Sequence, residues 1–205
     1  MHRFFRVWLF VLICSSCFET MAANIRRPKP WGLSANLGYS EISFSGVTGA
    51  DFSAFKHYHI DLALLRFPKG SWQWFGLGLN LVPDLSFKDV RWNDGSSGNY
   101  LSSFQTIYGF WGGHHKAFRW AFMVGNETMS WKGSPETGAN KPTYWTPGLM
   151  VGWIWKQKNQ LNFPLYFRYW QKPERTLKFS QLPNDSINAK SGAAYELDVG
   201  VHYGF

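Results

Sequence analysis

From residue 31 onward, apolar residues alternate with small or polar ones in a series of short runs. The last run has Tyr195, Leu197, Val199, Val201, Tyr203 and Phe205 at odd positions, with Glu196, Asp198, Gly200, His202 and Gly204 between them. A strand turns successive side chains to opposite faces, so this period of two predicts a strand with one apolar and one polar face. Earlier runs at 31–44, 56–67, 72–82, 101–112, 118–131, 143–155 and 161–171 repeat the pattern. The apolar faces include Leu33, Leu37 and Tyr39; Ile60 and Leu62; Leu77 and Leu79; Phe104, Tyr108 and Phe110; Phe122 and Val124; Leu149 and Val151; Phe163 and Phe167. Most of these runs have the length of a tilted membrane strand, about 9–11 residues.

The connections alternate long and short. Segments 45–55, 83–100, 132–142 and 172–193 are long; 68–71, 113–117 and 156–160 are short. The expected fold is therefore all-β: an eight-stranded antiparallel transmembrane β-barrel with four long external loops and three short periplasmic turns. Pro147 and Pro164 fall inside two of the runs. Proline removes a ladder donor, so bulges or bent strand ends are expected there. His114 and His115 fall in a short turn and read as a solvated pair.

Residues 1–23 read as a signal peptide and 24–205 as the barrel. Arg3 and Arg6 precede an apolar run at 7–13, and small residues lead to Ala23. That run is too short to span a membrane as a helix, which takes roughly 20 residues. Both cysteines, Cys14 and Cys17, lie in this segment, so no disulfide or thiolate metal site is expected in the barrel. Aromatic residues make up 19% of the chain, 12 of them Trp, yet the mean hydropathy is only −0.26. Aromatics near the strand ends, including Trp72, Trp74, Trp111, Trp145 and Trp155, suit girdles at the two membrane interfaces. The net charge of +8 is spread through the loops and is not gathered in one basic run. That distribution argues against nucleic acid as a partner and for anionic headgroups.

With this pattern in hand, the chain resembles the small eight-stranded bacterial outer-membrane barrels, the OmpA-like, OmpX-like, OmpW-like and lipid A deacylase barrels. The resemblance implies residence in the bacterial outer membrane, a monomer, lipid and lipopolysaccharide as surroundings, and delivery by the barrel-assembly machinery through Phe205. The deacylases carry a His-x-Ser-Asn element on the penultimate strand. The comparable residues here are Arg168, Tyr169, Trp170 and Gln171, so neither the base nor the nucleophile is present.

An eight-stranded barrel is just wide enough for side chains to fill. The inward set is expected to hold Asp61, Glu127, Glu196 and Asp198 with Arg119, Arg168, His57, His59 and His202, as a paired polar network. A register that sets Ser40 beside His59 makes Ser40, His59 and Asp61 the candidate set for acyl transfer. His57 and His59 share a face, but spacing identifies no further metal ligand, and no cofactor is called for. Lys88, Arg91, Lys132, Lys141, Lys172, Arg175 and Lys178 are the candidate external contacts for lipopolysaccharide phosphates. The expected role is non-enzymatic, structural or surface-interacting. The rivals are a lipid A-modifying enzyme and a narrow OmpW-like transporter of small apolar molecules.

Overall fold

The computed structural model describes residues 29–46, 54–91, 97–134, 143–156, 160–179 and 182–205. The expected signal peptide lies outside these residues. Ten strands follow in chain order: β1 (Trp31–Ser45), β2 (Ala54–Arg66), β3 (Gln73–Arg91), β4 (Ser97–His115), β5 (Phe118–Ser134), β6 (Thr143–Lys156), β7 (Leu161–Lys172), β8 (Arg175–Phe179), β9 (Leu182–Ala189) and β10 (Ser191–Gly204). Eight of them close a barrel in the order β1-β10-β7-β6-β5-β4-β3-β2, and β8 and β9 form a separate two-stranded sheet. Each barrel strand is antiparallel to its neighbours. The chain ends complete the closure: Phe205 N donates to Trp31 O at 2.9 Å, and Trp31 N to Phe205 O at 3.2 Å. Closing the sheet leaves no full-length edge strand to aggregate.

Burial follows the alternation. Along β1 nearly every second residue is buried, and the residues between are exposed. The exposed residues are the apolar ones: Leu37 and Leu77 are each 65% exposed and Phe122 56%. Asp61, Asp198, Arg119 and Arg168 are buried. Apolar surface left in water costs about 25 cal/mol per Å². A wall that is apolar outside and charged inside is stable only where lipid covers the outside.

Several sequence expectations are corrected. Phe104, Tyr108 and Phe110 on β4 point inward, and the residues facing out include Ile107 and Trp111. Trp74 is also inward and buried, with Nε1 donating to Trp120 O at 3.0 Å, so it belongs to no girdle. The lumen thus holds large aromatic rings beside its polar side chains. Segment 83–100 is not one long loop, because β3 runs to Arg91 and β4 starts at Ser97. Within 172–193, the β8–β9 hairpin takes up most of the expected loop. His114 and His115 end β4, and His114 packs edge-on to Phe67. The turn beyond them is two residues long, with Lys116 at φ 53°, and Arg119 Nη1 donates to Lys116 O at 2.8 Å and so ties the turn down.

The prolines act differently from expectation. Pro164 interrupts the β7–β10 ladder without shifting its register, and Pro147 stands where the β6–β7 ladder ends, at Gly148. Within the barrel's described residues the bulges lie in β3, and the first follows Val82.

Candidate functional site

The inward side chains meet in two clusters. In the first, Arg168 on β7 crosses the lumen to Asp61 on β2. Its Nη1 and Nη2 donate to Asp61 Oδ2 and Oδ1, both at 2.7 Å. Such a two-pronged guanidinium–carboxylate pair is among the stronger polar contacts available. Asp61 also accepts from Tyr108 Oη at 2.7 Å and Asn36 Nδ2 at 2.9 Å. Arg168 Nε lies 3.2 Å from Asp198 Oδ2, so one guanidinium serves two carboxylates. His59 Nε2 donates to Asp198 Oδ1 at 2.6 Å. That contact crosses β1 at Gly38, where a Cβ would collide with both partners. Glu196 accepts from Trp170 Nε1 at 3.0 Å and from Asn80 Nδ2 at 3.3 Å.

The second cluster lies nearer the external end. Glu127 on β5 is held by Lys172 Nζ on one carboxylate oxygen, and Arg175 Nη1 lies 2.5 Å from the other. The Arg175 guanidinium also lies over the rings of Tyr144 and Phe44, at 4.8 and 5.2 Å. Arg175 opens β8, so this ion pair anchors the β8–β9 hairpin to the barrel. Tyr144 Oη donating to Thr176 O at 3.3 Å, and Lys190 N to Ser45 O at 3.1 Å, anchor it further.

Lys172 and Arg175 were expected on the external surface against lipopolysaccharide. Both are buried on Glu127, which corrects that expectation. The strand parity of β7 was the available signal, because 166, 168, 170 and 172 share a face. Lys88, Arg91, Lys132 and Lys178 stand on described strands, but their side chains lie outside the description, and Lys141 lies outside the described residues altogether.

All nine expected lumen residues are buried. With Lys172 and Arg175 added, the buried charges among the described residues balance: Asp61, Glu127, Glu196 and Asp198 against Arg119, Arg168, Lys172 and Arg175. Arg119 stands apart from the acids. It donates to Lys116 O and Phe118 O and lies 5.9 Å over Phe67. His202 stacks on the same Phe67 ring at 5.7 Å and occupies the space that Gly32 leaves.

The candidate triad does not assemble. Ser40 pairs with His57, not His59, across β1–β2. His59 is turned to Asp198, and Asp61 is occupied by Arg168. His59, Glu196 and Asp198 each bring a ligand atom within 4.8 Å of the others, a spacing a metal ion would accept. The Arg168 guanidinium already lies 3.2 Å from Asp198 and 3.9 Å from Glu196, so the chain itself supplies the positive charge there.

No protein-family description matches the sequence, and no curated protein matches it. Among solved structures, Neisserial surface protein A superposes with a TM-score of 0.57 at 11% identity, over 88% of this chain and 100% of that one. Outer membrane protein AlkL gives 0.47 at 13% identity, over 89% and 93%. Ail, the attachment invasion locus protein of Yersinia pestis, gives 0.47 at 8% identity, over 84% and 99%. The likeness to the first is one of fold, a closed eight-stranded antiparallel β-barrel.

Proposed function

We infer that the chain is a non-enzymatic barrel of the bacterial outer membrane, with a structural and surface-interaction role. One observation carries the reading: the middle of the lumen is filled. The void between Asp61, Tyr108, Tyr166 and Arg168 holds about 10 Å³, space for about one water. A conducting path needs a continuous hydrated void, and hydrolysis needs a nucleophile within hydrogen-bond reach of its base. At that level neither requirement is met, because Asp61 is committed to Arg168 and His59 to Asp198.

The surface role falls to the external end. Lys88, Arg91, Lys132, Lys141 and Lys178 remain the candidates for lipopolysaccharide phosphates, through charge-assisted hydrogen bonds. Phe205 is the candidate assembly signal. Its backbone closes the barrel on Trp31 while its ring faces outward, 48% exposed.

The test is the mass spectrum of lipid A from cells overproducing the protein. An unchanged spectrum is expected. Loss or gain of an acyl chain that disappears with His59→Ala would establish the lipid-modifying enzyme in its place.

A further inference from the structure

The barrel wall is not bonded throughout. β2 pairs with β1 over its whole length, from Ala54 to Arg66. Among the described residues it pairs with β3 only from Ile60 to Arg66, opposite Leu81 to Phe75. Among the described residues, 54–59 therefore have no partner on that side. Continuing the register would set Tyr58 opposite Pro83, which has no N–H to give. β3 also bulges between Val82 and Leu85 and from there pairs with β4 alone. A bulge bends its strand and ends pairing on one side. The external half of the β2–β3 seam is thus open. Every second residue of 54–59 turns its N–H and C=O toward the gap. Bare backbone groups facing hydrocarbon cost several kcal/mol each, so an open seam in a membrane wall belongs beside a polar ligand or a hydrated cavity.

Behind the seam stand two side chains with unused capacity. Ser40 and His57 are direct partners across β1–β2, 0% and 4% exposed. Among the described residues, Ser40 Oγ, His57 Nδ1 and His57 Nε2 have no hydrogen-bond partner. Each unmet buried group costs about 1–3 kcal/mol. In front of the seam stands exposed Tyr58, with the Lys56–Glu41 ion pair above it toward the external end and exposed Ile60 below. Toward the short turns, across β2, β3 and the neighbouring strands, lies an outer groove of about 740 Å³, lined by Leu33, Leu62, Leu64, Leu77 and Leu79. That volume is in the range of small-molecule sites, about 300–1,000 Å³. The Leu62–Leu79 pair at its upper end is two residues below the last bonded pair, Ile60–Leu81, so the groove begins just below the seam.

We propose that the open β2–β3 seam is a lateral port for the acyl group of an outer-leaflet amphiphile, with the chain in the Leu62–Leu79 groove and the carbonyl accepting from Ser40 and His57. The direction fits an outer-leaflet lipid, whose head lies at the external end and whose tail descends toward the midplane. The chemistry asked of the ligand is a long alkyl chain ending in a carbonyl, either a free fatty acid or an acyl ester. The proposal rests on the outer-membrane reading above.

The test uses the full-length protein in phosphatidylethanolamine nanodiscs with diazirine-bearing palmitic acid, photolysed and mapped by peptide mass spectrometry. A second arm carries the diazirine on an acyl chain of phosphatidylethanolamine. Adducts are expected on β2 and β3, competed by unlabelled palmitate or by excess phospholipid according to the source. Replacing Ser40→Ala and His57→Phe together should lower them about tenfold, the factor that about 1.4 kcal/mol of lost hydrogen bonding gives. Pro83→Val, which restores the missing N–H, should lower them without touching either side chain. Adducts spread evenly over β5 and β6 as well, or unchanged in the double variant, mean ordinary boundary lipid and overturn the port. A chain that never shows the heat-modifiable gel mobility of a folded barrel overturns the outer-membrane reading instead; a folded barrel without specific adducts overturns the port alone.

Discussion

At the level of Asp61, one guanidinium holds two carboxylates; at the level of Ser40, a hydroxyl and an imidazole hold nothing. The two levels are four residues apart along β1 and β2 and are built by the same alternation. What separates them is reach. Arg168 presents five donors on a long stem and spans the lumen from β7 to β2. His57 is short, stacks on Phe104 with ring centroids 6.5 Å apart, and makes no hydrogen bond among the described residues. Glu196, the partner of Ser40 across β1–β10, bonds instead to Trp170 and Asn80. The alternation guarantees that side chains point inward; length and geometry decide which of them are satisfied.

The largest effect should come from breaking the satisfied level. Arg168→Met leaves Asp61 and Asp198 buried without their counter-charge. Removing one partner of a buried pair costs about 3–5 kcal/mol. The urea midpoint of the folded, heat-modifiable form should fall sharply. A midpoint within error of the parent would mean that the cluster does not hold the wall together. Glu127→Gln is next. It leaves Lys172 and Arg175 facing a neutral amide, at about 2–3 kcal/mol for the charged hydrogen bonds lost. Because Arg175 anchors the β8–β9 hairpin, proteolysis between 173 and 190 should speed up while the barrel stays folded. Cleavage at the parental rate would show that Tyr144 and Ser45 suffice to hold the hairpin.

Much of this contrast is visible in the sequence, and part of it is not. Parity along β1, β2, β7 and β10 assigns Asp61, His57, His59, Arg168, Glu196 and Asp198 to one face, because those strands alternate cleanly. Parity fails on β4. Both of its faces carry large rings, Phe104, Tyr108 and Phe110 on one and Trp111 on the other, and period alone does not say which face meets lipid. The pairing of Arg168 with Asp61 was hidden for a different reason. β7 and β2 are separated by β1 and β10, so their relative height depends on three successive registers. The first hairpin shows how much that matters: a shift of two residues moves Ser40 from His59 to His57. Pro83 reads as a loop residue on propensity, and the continuation of β3 beyond it comes from pairing with β4. A tertiary contact has there overridden a local signal.

The smallest effect should appear at the unsatisfied level, with the opposite sign. His57→Phe removes two buried nitrogens that bond to nothing and keeps a flat ring against Phe104. Exchanging an unmet polar group for an apolar one of like shape is neutral or favourable. With two nitrogens relieved and some ring fit lost, the gain should be about 0–2 kcal/mol. The measurement is the urea midpoint of the variant in detergent without added lipid, beside Arg168→Met under the same conditions. A rise or no change for His57→Phe against a large fall for Arg168→Met would confirm that neighbouring levels of one lumen differ in kind. A fall of similar size in both would mean that His57 has a partner as firm as Asp61 has in Arg168, and the contrast between the two levels would disappear. The same variant in acyl-bearing lipid should lose that advantage, because the ligand that His57 would bind is present there to meet its nitrogens.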